Sequence, residues 1–153
     1  MYKEIKANIW NFKDDIKVIT TNGFVKKNGE CVMGRGVAKQ CKDNFPGIEY
    51  QLGMCITKWG NRIHIFGTSH IICFPVKHLW EQGADLALIE SSALELSRIC
   101  SDPYCWSHSP PSVVYMVRPG CGNGGRSWKD VKPILEKYLD DKFVVVEKND
   151  SGI

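Results

Sequence analysis

Two glycine-rich stretches constrain this chain more than any other feature. The first runs from Thr21-Asn22-Gly23 to Gly34-Arg35-Gly36, and the second is Pro119-Gly120-Cys121-Gly122-Asn123-Gly124-Gly125. Each follows a short apolar segment, 15–21 with Ile16, Val18 and Ile19 in one case and Val113 to Val117 in the other. Each leads into a segment of helical character, 36–44 or 127–139. A strand that passes through a glycine loop into a helix is the unit of an α/β fold. Glycine admits positive φ and close backbone approach, and successive N–H groups can form an anion-binding nest. The helix N-terminus that follows adds partial positive charge at the same point. One such loop reads as a tight turn. Two at equivalent positions of neighbouring βα units point to a phosphate-bearing ligand at the carboxyl ends of the strands.

The rest of the chain fits that scheme. Residues 84–100 carry Leu86, Ile89, Leu94, Leu96 and Ile99 without a breaker and read as the clearest helix. His70 to Phe74 is a short apolar run ending at Pro75, and Phe143 to Val146 is a closing strand. Phe45-Pro46-Gly47 marks a turn, and Cys55 to Phe66 alternates around Trp59-Gly60-Asn61-Arg62 as a hairpin would. Residues 101–112 hold three prolines and read as a loop. Ser127 and Asp130 have capping-box spacing, and Pro133 blurs the start of the helix they would open. The expectation is an α/β domain with a parallel or mixed sheet covered by helices.

Composition narrows the function classes. A chain of 153 residues is the size of one domain. A net charge of +3, spread along the chain, argues little for nucleic acid but favours an anionic ligand. Seven cysteines, an odd number without a C-x-x-C pair, read as reduced thiols in a cytosol-like compartment. Cys100, Cys105 and His108 lack a fourth ligand nearby, so no metal is expected. The first residues lack a signal-peptide stretch, and no apolar run reaches the ~20 residues of a membrane span. Neither glycine loop is a Walker motif, since no G-K-[ST] follows, and neither fits the dinucleotide fingerprint.

The glycine loops and their surroundings together resemble a macrodomain, the family that binds ADP-ribose and its derivatives. Ala7-Asn8-Ile9-Trp10 is similar to the family's adenine-contacting element. Thr20-Thr21-Asn22-Gly23 with Val32-Met33-Gly34-Arg35-Gly36-Val37-Ala38 resembles the first ribose and diphosphate loop. Gly120 to Gly125 resembles the second diphosphate loop, and Trp128 to Pro133 the helix after it. The similarity extends over residues 5–147. Cys73-Phe74-Pro75-Val76-Lys77-His78-Leu79-Trp80 is similar to the F-P-[TV]-K-x-x-W stretch of one branch, that of DarG-type enzymes and the terminal ADP-ribose glycohydrolase of animals.

The resemblance implies a single macrodomain over 1–153, a three-layer α/β/α fold with a mixed central sheet, and a cytoplasmic monomer without cofactor. It implies ADP-ribose contacts from Asn8, Ile9, Thr21, Gly23, Met33, Gly34, Arg35, Gly36 and Val37, and from Gly120, Cys121, Gly122, Asn123, Gly124 and Gly125. Lys77 is the implied catalytic residue, with Asn22 orienting the distal ribose. Asn8 and Asn123 stand where relatives carry aspartates, so no acid–base carboxylate carries over. A lysine acts as a nucleophile only if burial or a neighbouring cation such as Arg35 lowers its pKa from ~10.4. His78 reads as an acid or base or as a structural histidine, and Cys121 as a packing residue. The implied function is a hydrolase that frees ADP-ribose from a DNA base or a protein carboxylate by cleavage at the distal ribose C1''. An ADP-ribose-1''-phosphate phosphatase and a non-catalytic ADP-ribose-binding module are the alternatives.

Overall fold

A computed structural model describes residues 1–148, in which the chain forms six strands and four helices. The strands are β1 (Lys3–Ala7), β2 (Ile16–Asn22), β3 (His64–Phe66), β4 (Ile71–Lys77), β5 (Val114–Val117) and β6 (Phe143–Lys148). The helices are α1 (Gly36–Asn44), α2 (Ile48–Trp59), α3 (Leu86–Ile99) and α4 (Trp128–Tyr138). One sheet joins the strands in the order β1-β6-β5-β2-β4-β3. All neighbours are parallel except β3, which runs antiparallel to β4. The sheet is therefore mixed and the fold is α/β, as expected.

The central strands are apolar on both faces, which is what a sheet covered twice requires. Strand period two sorts their residues into two cores. Ile16, Val18, Ile72, Phe74 and Val76 face α3 and α4, meeting Ile89, Ala93, Leu96, Val131 and Leu135. Ile19, Ile71 and Cys73 face α1 and α2, meeting Cys41, Ile48 and Leu52. The layers are thus helix, sheet, helix. Lys17 belongs to the second face yet is only 2% exposed. Its ammonium donates to the carbonyls of Phe12, Lys13 and Asp15, which offsets its desolvation and fixes the turn entering β2.

Four expectations change. The hairpin over 55–66 is absent: Cys55 to Trp59 complete α2, whose Ile48, Leu52 and Ile56 recur at helical spacing, and only His64–Phe66 are strand. Gly60, at φ +95°, ends that helix, and Phe45-Pro46-Gly47 separates two helices. β1 adds an unanticipated edge strand, paired from Lys3↔Val144 to Ala7↔Lys148. β4 runs through Pro75 to Lys77, and the proline sits beside the β2–β4 register shift, which falls between the pairs Thr21↔Pro75 and Asn22↔Lys77. The Ser127–Asp130 capping box is half made: Ser127 accepts from the N–H of Lys129, the N2 residue. Among the described residues, no helix is long and apolar enough to cross a membrane.

Candidate functional site

β2 and β5 are neighbours, yet the helices that follow them lie on opposite faces of the sheet. Their loops diverge, and such a switch point opens a crevice at the carboxyl ends of parallel strands. The crevice here is a cleft of about 1100 Å³. Its floor and walls come from strand ends: Ala7 of β1, Thr20 to Asn22 of β2, Val76 and Lys77 of β4, Val117 of β5, and Val146 to Lys148 of β6.

Most of the residues expected at a ligand converge on this cleft. Asn8, Ile9, Thr21, Asn22, Gly34, Arg35, Gly36, Val37, Lys77 and Gly120 to Gly124 all line it. Gly23, Met33 and Gly125 do not. The Gly23 N–H is bonded to the carbonyls of Lys77 and His78, and a Cβ there would stand 2.6 Å from the Asn61 side chain. Met33 is buried in the core beside Ile19 and Cys31. Gly125, at φ +72°, turns the chain out of the loop, its N–H bonded to the Gly122 carbonyl.

The first glycine loop delivers a helix N-terminus to the cleft. Arg35 is the N-cap of α1 and its side chain makes no capping bond. The N–H groups of Gly36, Val37 and Ala38, all lining residues, have no acceptor one turn back in the helix. They form a donor set for an anionic group. The second loop works differently from expectation. The first turn of α4 is absent from the cleft lining among the described residues, and Ser127 caps it. Positive φ falls at Gly120 (+75°) and Gly125 (+72°), whereas Gly122 needs none. A Cβ on Gly122 would meet no protein atom, since it opens onto the cleft. Gly124 is the crowded member: a Cβ there would lie 2.6 Å from the Gly120 carbonyl oxygen and 2.8 Å from Ala84. The loops meet where Asn123 lies over Gly36, 2.7 Å from the place a Cβ would take.

The side chains divide into anchored and available groups. Asn22 is 7% exposed; its Nδ2 donates to the Val32 carbonyl at 2.8 Å and its Oδ1 accepts from the Phe24 N–H at 3.0 Å. It closes the first loop, with one amide hydrogen left over. Asn8 accepts from the Trp10 N–H at 3.0 Å, so its oxygen already caps a 3-10 turn. Cys121 lines the cleft with its thiol pKa raised, burial outweighing the nearby Arg118, and it stays protonated. His78 is exposed, 3.7 Å from the Asp85 carboxylate, and outside the lining.

Lys77 faces Asn22 across the β2–β4 register. Its carbonyl is held by the Gly23 N–H and by Asn61, which fixes the backbone beneath the side chain. Its Nζ donates to the Trp80 carbonyl at 3.2 Å. Burial lowers the Lys77 pKa, and the Arg35 guanidinium lowers it further. Both effects disfavour the charged form, so this amine gives up its proton more readily than a surface lysine.

Lys26, Glu81, Glu147 and Lys148 line the cleft without any mark in the sequence, whereas Arg118 after β5 reads there either as an extra ligand contact or as a solvent-facing residue. Lys26 and Lys148 add positive charge, and Glu81 and Glu147 are the carboxylates of the described lining. Arg118 joins Glu147 and Glu4 at 3.5 and 3.6 Å and lies over the Trp128 ring at 4.6 Å. These residues come from the ends of β5 and β6 and from the loops after β2 and β4, so only the strand order, which sequence spacing does not carry, brings them together.

No protein-family model matches the chain. A DNA ADP-ribosyl glycohydrolase of Mycobacterium tuberculosis is 31% identical over 116 residues, which is 68% of this chain and 30% of that protein. The chain thus spans about a third of the length of the curated relatives it matches. Among solved structures, the macrodomain of Mycobacterium tuberculosis DarG superimposes with a TM-score of 0.77 at 23% identity, covering 97% of this chain and 99% of that one. Thermosipho africanus DarTG in complex with ADP-ribose gives 0.75 at 17% identity, covering 98% of this chain and 42% of that one.

Proposed function

We propose that this chain, which shares the macrodomain fold, is a macrodomain hydrolase releasing ADP-ribose from a modified DNA base. The observation that carries the reading is Lys77, an amine with lowered pKa set in the cleft beside Arg35 and both glycine loops. The α1 N-terminus and the second glycine loop grip the diphosphate, Asn22 orients the distal ribose, and Asn8 and Ile9 border the adenine. A curated relative bears the name of this activity, and a solved structure of similar fold holds ADP-ribose. Residues 1–153 act as one macrodomain, a monomer in the cytoplasm; the cysteines, all free, suit a reducing compartment.

In the proposed reaction the unprotonated Lys77 amine attacks C1''. The N–C1'' bond forms as the bond to the base breaks, and the base leaves with that electron pair and a proton from the new ammonium. The nitrogen lone pair then expels the ring oxygen, which takes a proton, leaving an imine. Water adds to the imine carbon, the C–N bond breaks, and ADP-ribose departs from a regenerated lysine. The amine acts mainly as bonds change, whereas the loops grip the ground state, so the lysine governs rate more than affinity.

The test offers the protein ADP-ribosylated single-stranded DNA, ADP-ribosylated protein and ADP-ribose-1''-phosphate, and follows release of ADP-ribose. We expect release from the DNA. Lys77→Ala should abolish it and leave ADP-ribose affinity within about tenfold, roughly 1.4 kcal/mol. Borohydride added during turnover should trap an adduct on Lys77, read by mass spectrometry. Parent-rate turnover by Lys77→Ala removes Lys77 from the chemistry. Tight ADP-ribose binding without release from any of the three makes the protein a binding module.

A further inference from the structure

Trp80 is 46% exposed and is the one exposed large hydrophobic residue of the described chain that lines the cleft. The other exposed ones, such as Tyr50, Met54, Trp59 and Tyr104, lie away from it. The indoles of Trp10, Trp106 and Trp128 each donate to a protein acceptor, and Trp10 and Trp128 also meet another aromatic ring. Trp80 has neither kind of partner among the described residues. Its apolar surface therefore stays in water, a cost that folding leaves unrecovered and that a flat ligand group could recover.

The loop that carries Trp80 is tied at several points. The Asp85 N–H bonds the Val76 carbonyl at 2.8 Å, the Ala84 N–H bonds the Gly124 carbonyl at 2.9 Å, and Arg126 donates to the Ala84 carbonyl at 2.7 Å. Lys77 Nζ reaches the Trp80 carbonyl itself. An exposed indole on an anchored loop is a preformed surface, and ordering it costs little on binding. Its place is specific too. The amine proposed to act at C1'' touches the Trp80 backbone, so the group leaving C1'' departs beside this residue.

Resting on the function proposed above, we infer that Trp80 is the stacking platform for the modified base of single-stranded DNA, and so sets the preference for a nucleobase as the group attached to ADP-ribose. Aromatic faces hold unpaired bases by stacking, and positive charge nearby holds the backbone. Lys26 and Arg35 line the cleft, Arg35 without a carboxylate partner among the described residues and Lys26 paired only at the surface with Glu30, at 3.3 Å.

The experiment compares parent, Trp80→Ala and Trp80→Phe on an ADP-ribosylated single-stranded oligonucleotide, on ADP-ribosylated protein and on free ADP-ribose. We expect Trp80→Ala to raise KM for the oligonucleotide about tenfold or more, by the usual worth of one base stack, with kcat changed less. Trp80→Phe should recover most of the loss. Free ADP-ribose affinity should change by less than about threefold, which separates stacking from a damaged cleft. An unchanged oligonucleotide KM in Trp80→Ala, or an equal loss on the protein substrate, overturns the inference. If the parent does not turn over DNA, the function fails while the platform is still read from binding: the affinity that the oligonucleotide adds over free ADP-ribose should vanish in Trp80→Ala. No added affinity in the parent overturns the platform as well.

Discussion

At Lys77, two effects act in the same direction on one proton. Burial is the larger and the Arg35 guanidinium the smaller, and both lower the pKa from its ordinary 10.5. If the free amine is the reacting form, turnover rises with pH through that lowered pKa. Arg35→Gln removes the second cause and keeps the first. The midpoint of the pH–rate profile should therefore move up, and the rate at neutral pH should fall, while burial still holds the midpoint below the usual lysine range. Single-turnover rates across pH measure this, and a midpoint that stays or moves down removes Arg35 from the tuning. Much at this scale was legible beforehand. Lys77 stands out because it follows an apolar strand, and Arg35 because it sits in a glycine loop. Met33 was misread, since a residue inside a loop motif says nothing of which way its side chain turns; here it turns into the core. Glu81 gives no signal of its own, because exposure at a cleft is a property of the folded surface, and Trp80 stands out in the sequence only as the end of the stretch that holds Lys77.

Among the elements, the second glycine loop separates two jobs that sequence alone runs together. Gly124 is required by packing, with a Cβ 2.6 Å from the Gly120 carbonyl oxygen. Gly122 has ordinary φ and open space toward the cleft, so its bareness serves whatever approaches. Gly122→Val should therefore abolish ADP-ribose binding at unchanged Tm. Gly124→Ala should lower stability by about 1–3 kcal/mol, the usual cost of overpacking. Calorimetry and thermal unfolding of the two variants tell these apart; a Gly122→Val protein that keeps its affinity contradicts the close-approach argument. Strongly periodic elements, β2, α3 and β5, were legible because each satisfies one pattern alone. α2 was not: its last turn and β3 together mimic strand alternation, which masks the helical spacing of Ile48, Leu52 and Ile56. β1 is an edge strand with little apolar content, so its pairing to β6 is a long-range fact that KEIKA does not announce.

Over the whole molecule, the cleft exists because the β2 and β5 loops leave the sheet toward opposite faces, each held by its own core. No disulfide joins the two cores among the described residues; the strands they share and, at the cleft, Asn123 lying over Gly36 connect them. A ligand long enough to touch both loops adds a further link that the unfolded chain lacks, and so stabilises the fold by mass action. At one hundred times its Kd, ADP-ribose should contribute about 2.7 kcal/mol. For a domain of this size, that is a rise in Tm of roughly 5–10 °C. AMP and ribose 5-phosphate carry one phosphate each and reach only one end of the cleft. At the same concentration each should shift Tm by far less, and the two added together should still fall short, since joining them makes the second contact intramolecular. Thermal unfolding with the three ligands at matched concentration reads the comparison directly. A shift with AMP as large as that with ADP-ribose would place the whole affinity in a mononucleotide site, and the diphosphate grip between two loops would have to be abandoned.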